Sequence, residues 1–170
     1  MKTTCDIRTV SIEITDEAAF LEKVRCIARS FNTHIIFFDA DKIAGKKHVE
    51  SALGHAIRAV NENFCISNSF EMEALLYAAG SRQCINGVSF GIHSGHNNSY
   101  LCICPPDTEA FEQIRPLVTP VHDDWETISP EKVDVLINLF DITPQELDVT
   151  GISRLQELVL ERVALLEVYR

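Results

Sequence analysis

Apolar and polar positions alternate along the start of the chain and then change period, and that change marks the first elements. Ile7, Val10, Ile12 and Ile14 fall mostly on one side of an extended backbone, which predicts a half-buried strand over 7–14. Thr15-Asp16-Glu17 then offers a helix cap and an acidic first turn, and Phe20, Val24, Ile27, Ala28 and Phe31 form one stripe behind it. After a break at Asn32-Thr33, the run His34-Ile35-Ile36-Phe37-Phe38 shows no alternation. A strand covered on both faces, and therefore central in its sheet, is expected there.

The middle of the chain, Asp41 to Ile92, reads as three helices almost end to end. The first starts at Gly45 and packs Val49, Ala52, Leu53, Ala56, Ile57 and Val60, leaving Lys46, Lys47, Glu50, Arg58 and Glu62 in water. Asn68 is placed to cap the second, with Glu71 reaching back, and Met72, Leu75, Leu76 and Ala79 line it. Gly80 ends it in a left-handed conformation, and Ser81 is expected to cap a third helix from Arg82. Val88 to His93 and Tyr100 to Cys104 read as the strands of a hairpin, turned through Ser94-Gly95-His96-Asn97-Asn98.

Pro105-Pro106 stops that second strand, and Asp107 opens a helix through Leu117 that buries Ala110, Phe111 and Ile114. The segment 119–128, which holds the single Trp at 125, follows neither period. Beyond it the pattern is helical. Ser129-Pro130 and Thr143-Pro144-Gln145-Glu146 are two cap-plus-proline starts, the second with a glutamate spaced for a capping box. The last helix, Ile152 to Arg170, would be about 28 Å long. Leu155, Leu158, Val159, Leu160, Val163, Leu165, Leu166, Val168 and Tyr169 cover more than half its circumference, more than one packing face takes up, so a partner is expected there.

These elements make an α+β chain: a small, mostly antiparallel sheet surrounded by helices, with a long C-terminal helix. At 170 residues the chain buries roughly two thirds of its unfolded surface, enough for one core, and a single domain over 1–170 is expected. The first residues lack the continuous apolar run of a signal peptide or membrane span, which points to a cytoplasmic protein. In a reducing compartment the six cysteines (Cys5, Cys26, Cys65, Cys84, Cys102, Cys104) are expected as small core residues rather than a disulfide framework.

The formal net charge is −10, yet Asp41 to Ile92 carries five acids against five Lys and Arg, so the whole surplus lies elsewhere. An anionic partner meets least repulsion on this stretch. Lys46, Lys47, His48, Arg58 and Arg82, with Gln83 beside a helix start, are the candidate contacts for single-stranded RNA, which a few cations and a stacking surface suffice to hold. Read simply, they are solvated helix positions. His93-x-x-His96 facing Cys102 and Cys104 is a weak metal pattern, since Cys102 and Cys104 alternate with Leu101 and Ile103 as one face of a strand does. No local feature selects a Cys and His pair for nucleophilic catalysis, the acids around 109–112 and 123–126 read as exposed loops, and no glycine-rich phosphate loop is present. A small-molecule enzyme built on such a pair is the alternative class.

The run KIAGKKHVESALGHAIRA, the run ISNSFEMEALLYAAGSRQCINGVSFGI and the segment after it resemble the kinase-binding subunit of the KEOPS complex, the family that includes the PRPK-binding protein. The most specific piece is the Glu-containing helix ending in Gly80-Ser81-Arg82-Gln83, followed by Cys84-Ile85, and the likeness runs nearly the whole length. It implies a noncatalytic adaptor without cofactor. Such a subunit binds and activates a small atypical kinase and, through it, reaches the transferase that makes threonylcarbamoyladenosine in tRNA. Archaeal members also capture the tRNA's CCA end. Carried to this chain, the resemblance makes Lys46, Lys47, His48, Arg58, Arg82 and Gln83 the RNA contacts, and Met72, Leu76, Leu158, Leu165, Leu166 and Tyr169 the kinase contacts. A purely structural subunit without RNA contact is the second alternative.

Two features depart from that pattern. Gly45 stands where a capping serine is expected, a difference of at most a few tenths of a kcal/mol. From Asp107 to Gly151 there are eleven acids against Arg115 and Lys132, so RNA is expected to approach from the side of Lys46 and Arg82.

Overall fold

Nine residues of strand β1 (Asp6–Ile14) pair antiparallel with β3 (Gly95–Cys104), and this ladder organises the first of two compact units in the computed structural model, which describes residues 4–169. The unit comprises Met1–Asp39 and Gly91–Asp123. Strand β2 (His34–Asp39) pairs with the other side of β3, and a two-residue strand β4 (Thr119–Pro120) with β1, giving an antiparallel sheet in the order β2-β3-β1-β4. Helices α1 (Glu17–Ser30) and α5 (Thr108–Ile114) supply Val24, Ala28, Phe111 and Ile114 to a core completed by Val10, Ile12, Ile14, Ile35, Phe37, Leu101 and Ile103. Each of these side chains other than Ala28 contributes roughly 2 kcal/mol relative to exposure. Asp16 caps α1 by accepting from Ala19 N at 3.0 Å, and Asp107 caps α5 from Ala110 N at 2.8 Å.

Three sequence expectations change here. β2 is buried along most of its length, yet it lies at the edge of the sheet rather than the centre. The expected hairpin does not form. Gly95, His96, Asn97 and Asn98 are strand, held opposite Ile14, Glu13, Ile12 and Ser11, so pairing with a distant segment overrides their turn preference. The side chain of Asn97 fixes the approach to this strand, accepting from His93 N at 2.9 Å and donating to His93 O at 2.7 Å. Finally, Cys5 and Cys104 form a disulfide, while Cys26, Cys65 and Cys84 are exposed. Only Cys102 of the remaining cysteines is the expected buried residue.

The second unit, Ala40–Phe90 with Asp124–Arg170, is helical. It holds α2 (Lys46–Asn61), α3 (Phe70–Ala79), α4 (Cys84–Ser89), α6 (Pro130–Leu139), α7 (Pro144–Thr150) and α8 (Leu155–Val168). Ser129 caps α6, and Thr143 with Glu146 forms the expected capping box on α7. Gly80 closes α3 in a left-handed conformation at φ 58°. The cap of α3 is Ser69 rather than Asn68, and Ser81 begins no helix: α4 starts at Cys84, and the Ser81 hydroxyl accepts from Gln83 N and Asn86 Nδ2. Val88 thus belongs to a helix, not a strand. Among the described residues no helix is long and apolar enough to cross a membrane.

Candidate interaction surfaces

Helices α2 and α8 run in the same direction side by side, and the contacts at each end place most of the candidate residues. At the start of α2, Gly45 has φ 84° and no side-chain cap. The orphan amide of Lys46 instead donates to both carboxylate oxygens of Glu126, at 2.9 and 3.1 Å, and Gln156 Nε2 donates to Ala44 O at 2.6 Å. A Cβ at position 45 would sit 2.7 Å from Glu126 Oε2 and 2.8 Å from Gln156 Nε2. The glycine is therefore required by geometry, and the cap comes from a residue eighty positions away. Lys46 and Lys47 are exposed on this first turn, with Lys46 Nζ 4.0 Å from Glu50.

His48, one residue on, is fully buried. Its Nδ1 accepts from Ala44 N at 3.0 Å, which assigns the proton to Nε2, and Nε2 lies 2.9 Å from Ala78 O, to which it donates. Burial lowers its pKa to about 4, against the backbone bond to Ala78, and Lys132 adds to the lowering. A neutral, enclosed imidazole clamping α2 to α3 has no surface for RNA, so the assignment of His48 as an RNA contact is withdrawn. Its spacing was a signal, since His48 and Ala52 share the buried stripe at i and i+4.

At the far end of α2, Arg58 donates to both oxygens of Glu167 on α8, at 3.2 and 3.0 Å, and His55 Nδ1 lies 2.5 Å from the same carboxylate while its ring stacks on Tyr77. Burial pushes the Glu167 carboxyl up, but the His55 and Arg58 hydrogen bonds outweigh it and hold the group below the usual carboxylate range. Arg82, in the joint between α3 and α4, donates to Tyr169 O at 3.1 Å, just past the end of α8. Arg58 and Arg82 are thus brought together at the C-terminal end of α8, where exposed carbonyls favour cations. The one-stripe spacing of Lys47 and Arg58 on α2 puts them roughly 16 Å apart. Gln83 is exposed beside Arg82.

The apolar candidates divide. Leu76, Leu158 and Leu166 are enclosed by the unit's own packing and cannot serve a partner. Met72 and Leu76 lean over Gly87 of α4. Helix α8 also buries Leu155, Val159 and Val163, so its own unit takes up most of the excess expected for a partner. What remains open is the last turn, with Leu165 half-buried and Val168 and Tyr169 more than 70% exposed. Arg170 lies outside the described residues. Ile85 and Val88 on α4 are exposed large apolar residues, the second in a stretch whose pattern reads as strand.

Two residues with structural weight were not singled out from sequence. Glu73 is fully buried, and its carboxylate accepts from Ile66 N, Ser67 N and Ser67 Oγ, which fixes the segment between α2 and α3. An acid at Glu73, within the Leu76-Tyr77 stripe at i+3 and i+4, is the pattern that marks it. Glu126 carried no comparable sign. Among the described residues no group of three or more His, Cys, Asp or Glu gathers as metal ligands.

Known proteins place this chain in a family. The family model described as kinase binding protein CGI-121 matches residues 12–167. The chain is also 30% identical over 141 residues to the regulatory protein Cgi121 of Methanocaldococcus jannaschii, covering 81% of this chain and 88% of that protein.

Proposed function

Because the chain belongs to the family of kinase binding protein CGI-121, we propose that it is the regulatory subunit of a KEOPS assembly that docks on a small atypical kinase and activates it. Through the kinase it reaches the transferase, and it helps recruit tRNA by its CCA end for threonylcarbamoyladenosine synthesis. The observation that carries the docking surface is the last turn of α8. Tyr169 is 71% exposed with Val168 and Leu165 beside it, an aromatic and aliphatic cluster of the kind that anchors interfaces. Of the expected contacts, Leu165 and Tyr169 stay accessible and form the centre of that surface.

For tRNA, Arg82 is the leading contact. Its guanidinium gives one bond to a backbone carbonyl and has further donors for phosphate, whereas Arg58 already faces the Glu167 carboxylate. Lys46, Lys47 and Gln83 extend the cationic side. Co-purification tests the first part: Leu165→Glu is expected to abolish recovery of the kinase while leaving the thermal unfolding transition in place, and unchanged recovery would remove α8 from the interface. Fluorescence anisotropy with a tRNA and the same tRNA lacking CCA tests the second. Equal affinities would leave a subunit without acceptor-end contact.

A further inference from the structure

A groove of about 630 Å3 opens in the helical unit between α6, the turn Ile152–Arg154 and the start of α8, its Glu126 and Gln156 walls bonded to the start of α2 beside Lys46. Ile128, Pro130, Val133, Ile152 and Leu155 give it an apolar floor, and its lining includes the acids Glu126 and Asp134 and no basic residue. From these features we propose that the groove receives a protein segment in which an aliphatic side chain is flanked by Lys or Arg.

Three observations select that occupant. The floor is open to solvent rather than sealed, since Ile152 is 60% exposed, and Val149 on the preceding helix, at 87%, extends the apolar surface beyond it. A side chain inserted from outside would cover Ile152 and exclude water from it. The charge around it is one-sided. Within the helical unit, seven acids against Lys132 over 124–151 repel phosphate and anionic headgroups and attract a basic chain, and the cation of the same turn, Arg154, is paired with Glu157. The walls are also ordered in advance. Gln156 is tied to Ala44 O, Glu126 to Lys46 N, and Asp124 accepts from Glu126 N at 2.8 Å and from Thr127 Oγ1 at 2.6 Å, so the acidic rim needs little rearrangement to meet a partner. Leu155 in the groove and Val168 at the last turn lie thirteen residues apart along α8, roughly 20 Å. The groove is therefore separate from the kinase-docking turn, and its test does not depend on that reading.

The probe is a fluorescein-labelled amphipathic peptide of Leu and Lys, with a control peptide of equal charge in which every Leu is Ser. Anisotropy titrations are run on the full chain, on Ile152→Ser and on Asp134→Lys, both changes at exposed positions that leave the core intact. The Leu peptide is expected to bind saturably, with affinity lower by roughly tenfold or more for either variant and for the Ser peptide. Amide shifts in the complex should centre on Val133, Asp134, Ile152 and Ser153. Absence of binding, equal binding of the two peptides, wild-type affinity in both variants, or shifts centred elsewhere would each overturn the proposal.

Discussion

The two units of this chain handle apolar surface in opposite ways. All nine exposed large hydrophobic residues among those described, from Val60 to Tyr169, belong to the helical unit, and the sheet unit contributes none. The sheet unit puts its branched and aromatic side chains into a core lined by β1, β2, β3, α1 and α5 and closes it. The helical unit builds a core of its own yet leaves Ile85, Val149, Ile152, Val168 and Tyr169 in water. Scattered exposure of single apolar residues is ordinary, but here all nine fall in one unit, on α2, α4, α6, α7 and the two ends of the segment 152–169.

The largest expected effect separates the two directly. Leu101→Ala in β3 removes a fully buried side chain and should cost about 3 kcal/mol in urea unfolding, whereas Ile85→Ser on α4 should fall within about 0.5 kcal/mol of the parent. Similar costs for the two would erase the distinction between a closed and an open unit.

Acid should weaken the helical unit through His48. In the unfolded chain its imidazole takes up a proton near pH 6.5, and in the folded one only near pH 4. The stability tied to its neutral form is thus present at neutral pH, is lost as pH falls from 6.5 toward 4, and levels off below that. The full loss is about 3 kcal/mol. The Glu146 carboxyl, held to about 2 first by the Thr143 amide and then by Arg162, adds its own loss only below the ordinary carboxylate range. His48→Gln should flatten the slope of the urea midpoints between pH 6.5 and 4.5 relative to the parent. An unchanged slope would remove the buried clamp.

A smaller effect concerns the start of α2. Gly45→Ser, which adds a good capping residue, should nevertheless destabilise by about 1–2 kcal/mol because of its positive φ and the crowding by Glu126 and Gln156. Glu126→Gln should cost about 1 kcal/mol. A stabilised Gly45→Ser would show that Glu126 is not the cap.

How much of this was legible in the sequence follows from the range of each interaction. Asp16, Ser129 and the Thr143 with Glu146 pair were readable because a cap and its amides lie within one turn. Glu126 was not, since its partner is eighty residues away. The segment 95–98 looked like a turn by local preference and became strand through pairing with β1. The stripe of α2 is legible through Ala56, but the structure buries Ala59 and leaves Val60 exposed at 44%, and the place of His48 on that stripe, not its chemistry, decides its role. The apolar excess of α8 was real, and five of its residues went into its own unit, leaving the last turn and the groove at its start as the exposed remainder.

The account stands or falls on where the kinase touches. Hydrogen–deuterium exchange of this chain, alone and bound to the kinase, measures that directly. Slowed exchange is expected in the last two turns of α8 and the adjoining end of α2, with β1 and β3 unchanged by binding. Protection confined to the sheet strands, with Leu165 through Tyr169 exchanging as in the free protein, would contradict it.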